Sequence, residues 1–325
     1  MSTITISDAI QNFLESVALA RSERTAKTYR SALTVFREVL QEHHLHPDKT
    51  QVEALPEDAI AWFASTLKPY APTTERLYLT ATTMFYKYLV AERLASPNLP
   101  RVQMLIQQRA RRLGKRLPQF NRINIEEVLE YAMQLTDFDL DDEQERLRSL
   151  RDRAFLVTLA DTGLRVHEAC GLRRGDIDWF EGKAIIIGKG NKEAVIRFST
   201  RSMAVLKDYL NARSKLDGSS GRSLSSLPLF ARHDKGAGKK VKPVTTTTGR
   251  NIVKQRVREA LGEEAVGTIT PHSFRHYFVT KVLQGSGNLK LAQELARHQN
   301  IAVTQRYAHL NDDELDKGYY EVFES

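Results

Sequence analysis

Two arginines, one lysine, two histidines and one tyrosine stand in short patterned stretches of this sequence: Arg165, Lys189, His272, Arg275, His298 and Tyr307. They supply guanidinium forks, proton carriers and a phenolic oxygen. His272 and Arg275 lie three apart in Pro271-His272-Ser273-Phe274-Arg275-His276-Tyr277, on one face of a helix that Thr270 caps and Pro271 opens. Phe274, Phe278 and Val282 step by fours along another face, so one side packs while the other offers an imidazole and a guanidinium. Such a pair taken alone is commonly a solvated face. His276 adjoins Arg275 and is read as pointing elsewhere.

The second stretch is Asp161-Thr162-Gly163-Leu164-Arg165-Val166-His167-Glu168. Thr-Gly breaks one helix and Leu164 opens the next, which places Arg165 in its first turn. Glu168 follows three residues later on the same face, where a surface ion pair would contribute little. His167-Glu168 invites a metalloprotease reading, but Gly171 occupies the place of the second histidine in H-E-x-x-H, so zinc is rejected and His167 is read as structural. Lys189 sits in Gly188-Lys189-Gly190-Asn191-Lys192-Glu193, a glycine-rich turn between a β-branched run (Lys183 to Ile187) and an alternating one (Ala194 to Phe198). A phosphate loop of the G-x-x-x-x-G-K-[ST] kind is absent, and ATP is not implied. His298 closes a short helical run, Asn300 caps the next, and that helix carries Tyr307.

Around these stretches the chain reads as two domains. The 325 residues carry 48 Lys+Arg against 40 Asp+Glu, a net +8 that makes an acidic polymer a reasonable partner. The single Cys170 excludes an intramolecular disulfide framework and fits a small buried thiol. No signal-peptide pattern is present, nor an apolar run of about eighteen residues. The expectation is a soluble, intracellular protein without a membrane partner.

The first domain reads as an all-helical bundle. Its helices start after Ser7, near Ser22, after Pro56 and near Thr73, and Arg24, Lys27, Arg30 and Arg37 line the polar side of the second. Pro97 and Pro100, then Arg109, Arg111, Arg112, Lys115 and Arg116, mark a basic linker suited to strapping across phosphates. The boundaries are 1–112 for the bundle, 113–118 for the linker and 119–325 for the second domain. That domain adds helices from Ile123 and Arg146, the hairpin, a helix capped by Ser199-Thr200, a flexible serine loop and a basic helix with Arg250, Lys254, Arg256 and Arg258. The fold class is mainly α with a small β-sheet.

The set, in this order, resembles the tyrosine recombinase (phage integrase) family over nearly the whole chain. Its pattern is seen in TGLR with Glu168 three residues on, in GKGNKE, in HSFRH, and in His298 with Tyr307 nine residues beyond. The resemblance implies a SAM-like core-binding bundle before a mixed α/β catalytic domain, in the simple Xer or Cre-type organisation. It also implies Tyr307 as nucleophile, forming a 3′-phosphotyrosine without ATP, with Lys189 as general acid and Lys192 as its competitor. Arg165, Arg275 and His298 are then the donors to the phosphate, His272 the proton acceptor and Glu168 the support of the basic cluster. Arg24, Lys27, Arg30, Arg111, Arg112, Lys115, Arg116, Arg250 and Lys254 are the DNA-binding candidates. No metal or other cofactor is required for these roles. The partners implied are double-stranded DNA at a specific site, a homotetramer on two duplexes joined through a Holliday junction, and accessory proteins.

The sequence departs from the family at Arg297, where glycine often precedes the late histidine, and at Gln299-Asn300, which replace small hydroxyl residues. The terminal aromatics Tyr319, Tyr320 and Phe323 either dock on a neighbouring subunit or pack on their own domain. Two other classes share the features: a type IB topoisomerase, relaxing DNA without a synapse, and a catalytically silent DNA-binding protein of the same fold.

Overall fold

In this computed structural model the chain divides into two units, Met1–Lys115 and Arg116–Ser325. The structure describes residues 4–111, 122–135, 142–187, 193–234, 236–237, 240–298 and 300–308. Arg112, Lys115, Arg116, Lys189, Lys192, Gln299 and the terminal aromatics lie outside them. So do the side chains of Arg306 and Tyr307.

Unit 1 is helical because its apolar residues recur at helical spacing behind good caps. Helix α1 (Ile6–Ala20) begins two residues earlier than the sequence suggests, since Thr5 and Asp8 form a reciprocal capping box. Ser22 caps α2 (Glu23–Glu42), and α3 (Ala59–Thr66) and α4 (Pro72–Ala91) follow. Phe13, Phe36, Phe63, Phe85 and Tyr86 fill the core. Within the expected bundle and ahead of the expected linker, which lies outside the described residues, stands a fifth helix that the sequence reading did not name, α5 (Leu99–Arg109). Pro100 stands in its first turn, where the missing N–H costs nothing, Asn98 caps it, and Val102 and Leu105 are buried. No described helix of the chain is long and apolar enough to cross a membrane.

Unit 2 is built on α7 (Glu143–Thr162), which runs longer than its sequence pattern and is buried on nearly all sides. Helix α6 (Arg122–Gln134) precedes it and α8 (Val166–Gly171) follows it. An antiparallel sheet has the order β1 (Ile177–Asp178), β2 (Lys183–Ile187), β3 (Glu193–Arg197). Ile185 pairs Val195, so Ala184, Ile186 and Ile196 face the core while Ile185, Ile187 and Val195 stay exposed. Helix α9 (Thr200–Ala212), capped by Ser199, packs along α7. The serine loop is not loose: α10 (Ser214–Gly218) and a 3-10 turn (Leu224–Ser226) order it, and Arg222 donates to the Ser226 carbonyl. Then come α11 (Thr246–Leu261), α12 (Pro271–Ser286), α13 (Leu289–Ala296) and α14 (Ile301–Ala308). Arg256 of α11 does not belong to a solvated basic face. It is buried against Asp152 of α7 at 2.8 Å and also pairs with Glu259 at 2.6 Å.

Candidate active site

Four helix termini meet at one place. Helix α7 ends at Gly163, whose φ of +59° is the left-handed conformation that glycine adopts without strain. The Gly163 carbonyl then accepts from Arg275 Nη1 at 2.5 Å and from Arg297 Nη2 at 3.3 Å. A Cβ at Gly163 would lie 2.4 Å from Phe278 Cδ1, so α12 packs directly on the turn.

Arg165 is the N-cap residue of α8 rather than part of its first turn, with extended backbone. The Glu168 carboxylate accepts from Arg165 N at 2.8 Å and from Arg165 Nη1 at 2.9 Å. It also pairs with Arg297 Nη2 at 3.2 Å. The pair is no surface ion pair: the Glu168 side chain is only 4 % exposed, while that of Arg165 keeps 40 % of its surface. Burial works to raise the Glu168 pKa. Arg297 first, then the hydrogen bonds and charge of Arg165, hold it below the usual carboxylate range.

Helix α12 brings Arg275 and His272 on adjacent turns. Arg275 is 2 % exposed and spans two helix ends, bonding the Gly163 carbonyl at the end of α7 and the Ala296 carbonyl at the end of α13. Burial, then the positive fields of Arg165 and Arg297, push its pKa down in spite of Glu168. His272 is exposed. Crowding by protein atoms, then Arg275 and Arg165, lowers its pKa. His298 follows Arg297 at the turn into α14. Its Nδ1 and Thr304 Oγ1 share a 2.8 Å hydrogen bond, and Gln293 Nε2 donates to its carbonyl at 3.0 Å. Burial, followed by Arg275 and Arg165, drives its pKa down to about 4.

Arg165, His272 and Arg275 border a cleft of about 450 Å³ that His167, Arg250, Lys254 and Thr270 also line. Two DNA-binding candidates, Arg250 and Lys254, thus meet three of the catalytic candidates. Gly249 allows it: a Cβ there would come within 2.9 Å of Phe155 and 3.0 Å of Cys170 and Val166, so α11 and α8 approach closely. The positive end of α12 opens on the same cleft, which favours an anion.

Residues 132–314 match the family described as "Phage integrase family", and residues 10–93 match "Phage integrase, N-terminal SAM-like domain". The chain belongs to the phage integrase family. Among the relatives of this integrase-family chain, "Tyrosine recombinase XerC" of Halalkalibacterium halodurans is 31% identical over 252 residues, covering 77% of this chain and 75% of that one. "Tyrosine recombinase XerC" of Thermodesulfovibrio yellowstonii is 28% identical over 319 residues, 95% of this chain and 94% of that one. The fold also matches a crystal structure of XerH site-specific recombinase bound to palindromic difH substrate. There the TM-score is 0.68 at 19% identity, over 97% of this chain and 84% of that one.

Of the integrase-pattern residues, Arg165, Glu168, His272, Arg275 and His298 come together here, and Tyr307 lies on α14, six residues after the first residue of that helix. Arg24, Lys27 and Arg30 are exposed on α2, and the last two border a groove of about 530 Å³ in unit 1. Arg111 is engaged inside unit 1, its backbone N–H and Nε on the buried Glu75. Three residues escaped the sequence reading. His276 does not face away from the site: it lies one turn after His272, the rings stand edge to face at 4.2 Å, and burial followed by His272 and Arg275 pushes its pKa to about 3. The i, i+4 spacing was the available signal. His167 is exposed on the cleft rather than structural. Thr304, which orients His298, gave no signal across six residues and a turn.

Proposed function

We propose that this chain is a site-specific DNA recombinase that cuts and rejoins strands through a 3′-phosphotyrosine on Tyr307. The observation that carries the reading is the cluster of Arg165, Arg275, His272 and His298, three of them on one cleft, where burial and then the neighbouring cations lower the pKa of Arg275 and of both imidazoles. A phosphodiester supplies the missing negative charge, and its developing charge in an in-line transition state is what fixed guanidinium forks stabilise. Tyr307 Oη attacks phosphorus, the P–O5′ bond breaks, and the phenolic proton passes to His272, whose lowered pKa favours the neutral, proton-accepting form. Lys189 protonates the leaving 5′ oxygen. The reverse sequence rejoins the strand, so bond energy is conserved without ATP. Glu168 holds Arg165, and His298 adds a third donor to the phosphate.

In this reading residues 1–112 and 119–325 grip the duplex, with 113–118 as the strap between them. Arg24, Lys27, Arg30, Arg250 and Lys254 contact phosphates, as do Arg112, Lys115 and Arg116. The working assembly is a homotetramer on two duplexes passing through a Holliday junction, aided by accessory proteins, in the cytoplasm at the nucleoid. Relatives called tyrosine recombinase, together with the SAM-like domain ahead of the catalytic one, favour recombination over topoisomerase-like relaxation or silent binding.

The test incubates the protein, with EDTA, on nicked duplexes carrying the sequences beside its own gene and on a random-sequence nicked pool. Products are resolved on a denaturing gel. A covalent protein–DNA band that vanishes in Tyr307→Phe is expected. A band that persists in Tyr307→Phe removes the nucleophile assignment, and no band from either substrate favours the silent-binding reading.

A further inference from the structure

Arg297 stands where the backbone calls for glycine. Its φ is +58°, a left-handed conformation that costs any residue with a Cβ, yet it terminates α13 with a side chain that reaches inward and is only 12 % exposed. There its Nη2 meets two acceptors, Glu168 Oε2 at 3.2 Å and the Gly163 carbonyl at 3.3 Å. Nε and Nη1 are buried with no hydrogen-bond partner among the described residues. A side chain kept for stability alone would not combine a strained backbone with unspent buried donors.

Its two acceptors explain its place. Glu168 is the group that holds Arg165, and the Gly163 carbonyl is the group that holds Arg275. Arg297 is thus the one described side chain bonded to both supports. We propose that Arg297 is a positioning residue for DNA cleavage, locking Glu168 and the Gly163 carbonyl so that Arg165 and Arg275 meet the scissile phosphate in fixed geometry. This rests on the recombinase reading above and adds to it a residue outside the family pattern.

The charges facing Glu168 are Arg165 at the start of its own helix, Arg275 from α12 and Arg297 from the end of α13. Burial raises the Glu168 pKa, and the charge of Arg297, followed by the hydrogen bonds and charge of Arg165, pulls it back down. Removing Arg297 therefore raises that pKa, so the carboxylate protonates at higher pH and the acid limb of the cleavage profile moves upward.

The experiment measures single-turnover covalent-complex formation by the full chain on a nicked duplex that the wild type has selected from a random-sequence pool, across pH, together with DNA affinity. Arg297→Gly suits the left-handed backbone, so it retains the fold, which a thermal melt checks. Arg297→Lys restores a cation but not the fork. The expected result for Arg297→Gly is a cleavage rate at saturating DNA lower by about 10–100-fold, affinity changed by less than about threefold, and an acid limb moved to higher pH. Arg297→Lys returns the acid limb toward wild type with only part of the rate. Wild-type rate with an unmoved limb in Arg297→Gly overturns the proposal, and so does a loss confined to DNA affinity. If the wild type forms no covalent complex, the recombinase reading falls and this proposal with it.

Discussion

Replacing Gly163 by alanine tests the joint on which the site is assembled. The new Cβ adopts φ +59° and meets the Phe278 ring at 2.4, 2.9 and 3.0 Å. Left-handed backbone costs an L-residue about 1–2 kcal/mol, and forcing a methyl into packed surroundings adds about 1–3 kcal/mol. The less flexible unfolded chain returns about 0.4–1 kcal/mol. The net loss is about 1–4.6 kcal/mol, or roughly 2–18 °C in the melting of a unit of this size. Gly171, eight residues along, is the internal control: it is helical, its φ is not positive and nothing lies within 4 Å of its added Cβ. Gly171→Ala is therefore expected to be neutral or stabilising by up to about 1 kcal/mol. Denaturant unfolding of both variants, and of Gly163→Ala in a Phe278→Leu background, reads the outcome. Gly163→Ala within about 0.5 kcal/mol of wild type refutes the strain argument. An equal loss in the Phe278→Leu background shows that the ring contact contributes nothing.

Two further outcomes follow from proton chemistry. His233 shares a 2.8 Å hydrogen bond with buried Tyr209, and burial, then Arg151 and Arg213, lower its pKa to about 3. The folded state keeps it neutral while the unfolded chain protonates it below about pH 6.5, so its contribution is complete above that pH and is lost as pH falls toward 3. By pH 5 that loss is about 2 kcal/mol, and His233→Gln should flatten the pH dependence of the unfolding midpoint by that amount; an unchanged slope refutes it. Lys189→Ala should slow cleavage of ordinary DNA by about 10²–10⁴-fold. It should cut near the wild-type rate where sulfur replaces the bridging 5′ oxygen, because a thiolate leaves without a proton. Failure of that rescue, or its appearance in Lys192→Ala instead, moves the general acid away from Lys189.

What the sequence made legible were local relations. Ser22, Ser199 and Thr245 cap helices as their types and positions suggest, and Arg165 and Glu168 meet at the spacing expected, though as N-cap and third residue of α8 rather than as two residues of one helical face. The Lys183–Ile187 strand shows its β-branched run. What failed were readings in which local composition competes with position. Pro97 and Pro100 suggest a boundary and hide a helix, since a proline in the first turn is compatible with α5. Serines suggest a flexible loop, yet they close short turns by side-chain bonds to carbonyls, as Ser219, Ser220 and Ser226 do. Strand β1 is two residues long, too short for any periodicity. Pairings distant in sequence left no trace: Arg256 reads as one more exposed cation until Asp152, 104 residues away, buries it. Arg297 was visible as a departure from the family pattern, but its left-handed backbone and its hold on Glu168 were not.

The arginine most central to the site is also the one whose mutation is least informative. Gly163 and Ala296 lie at the C-terminal ends of α7 and α13, where helices leave carbonyls without intrahelical partners and carry partial negative charge. Arg275 satisfies one carbonyl at each end, which offsets part of the cost of burying its charge among other cations. Deleting it would take the side-chain donor from the Ala296 carbonyl and leave the Gly163 carbonyl with Arg297 alone, so activity and folding would change together and neither could be assigned. Arg165 is different. Its side chain is 40 % exposed to the cleft and its own bond is to a carboxylate that Arg297 also neutralises. A rate lost on changing Arg165, with the fold retained, would report on the phosphate, and the chemistry of this site is best dissected from that side.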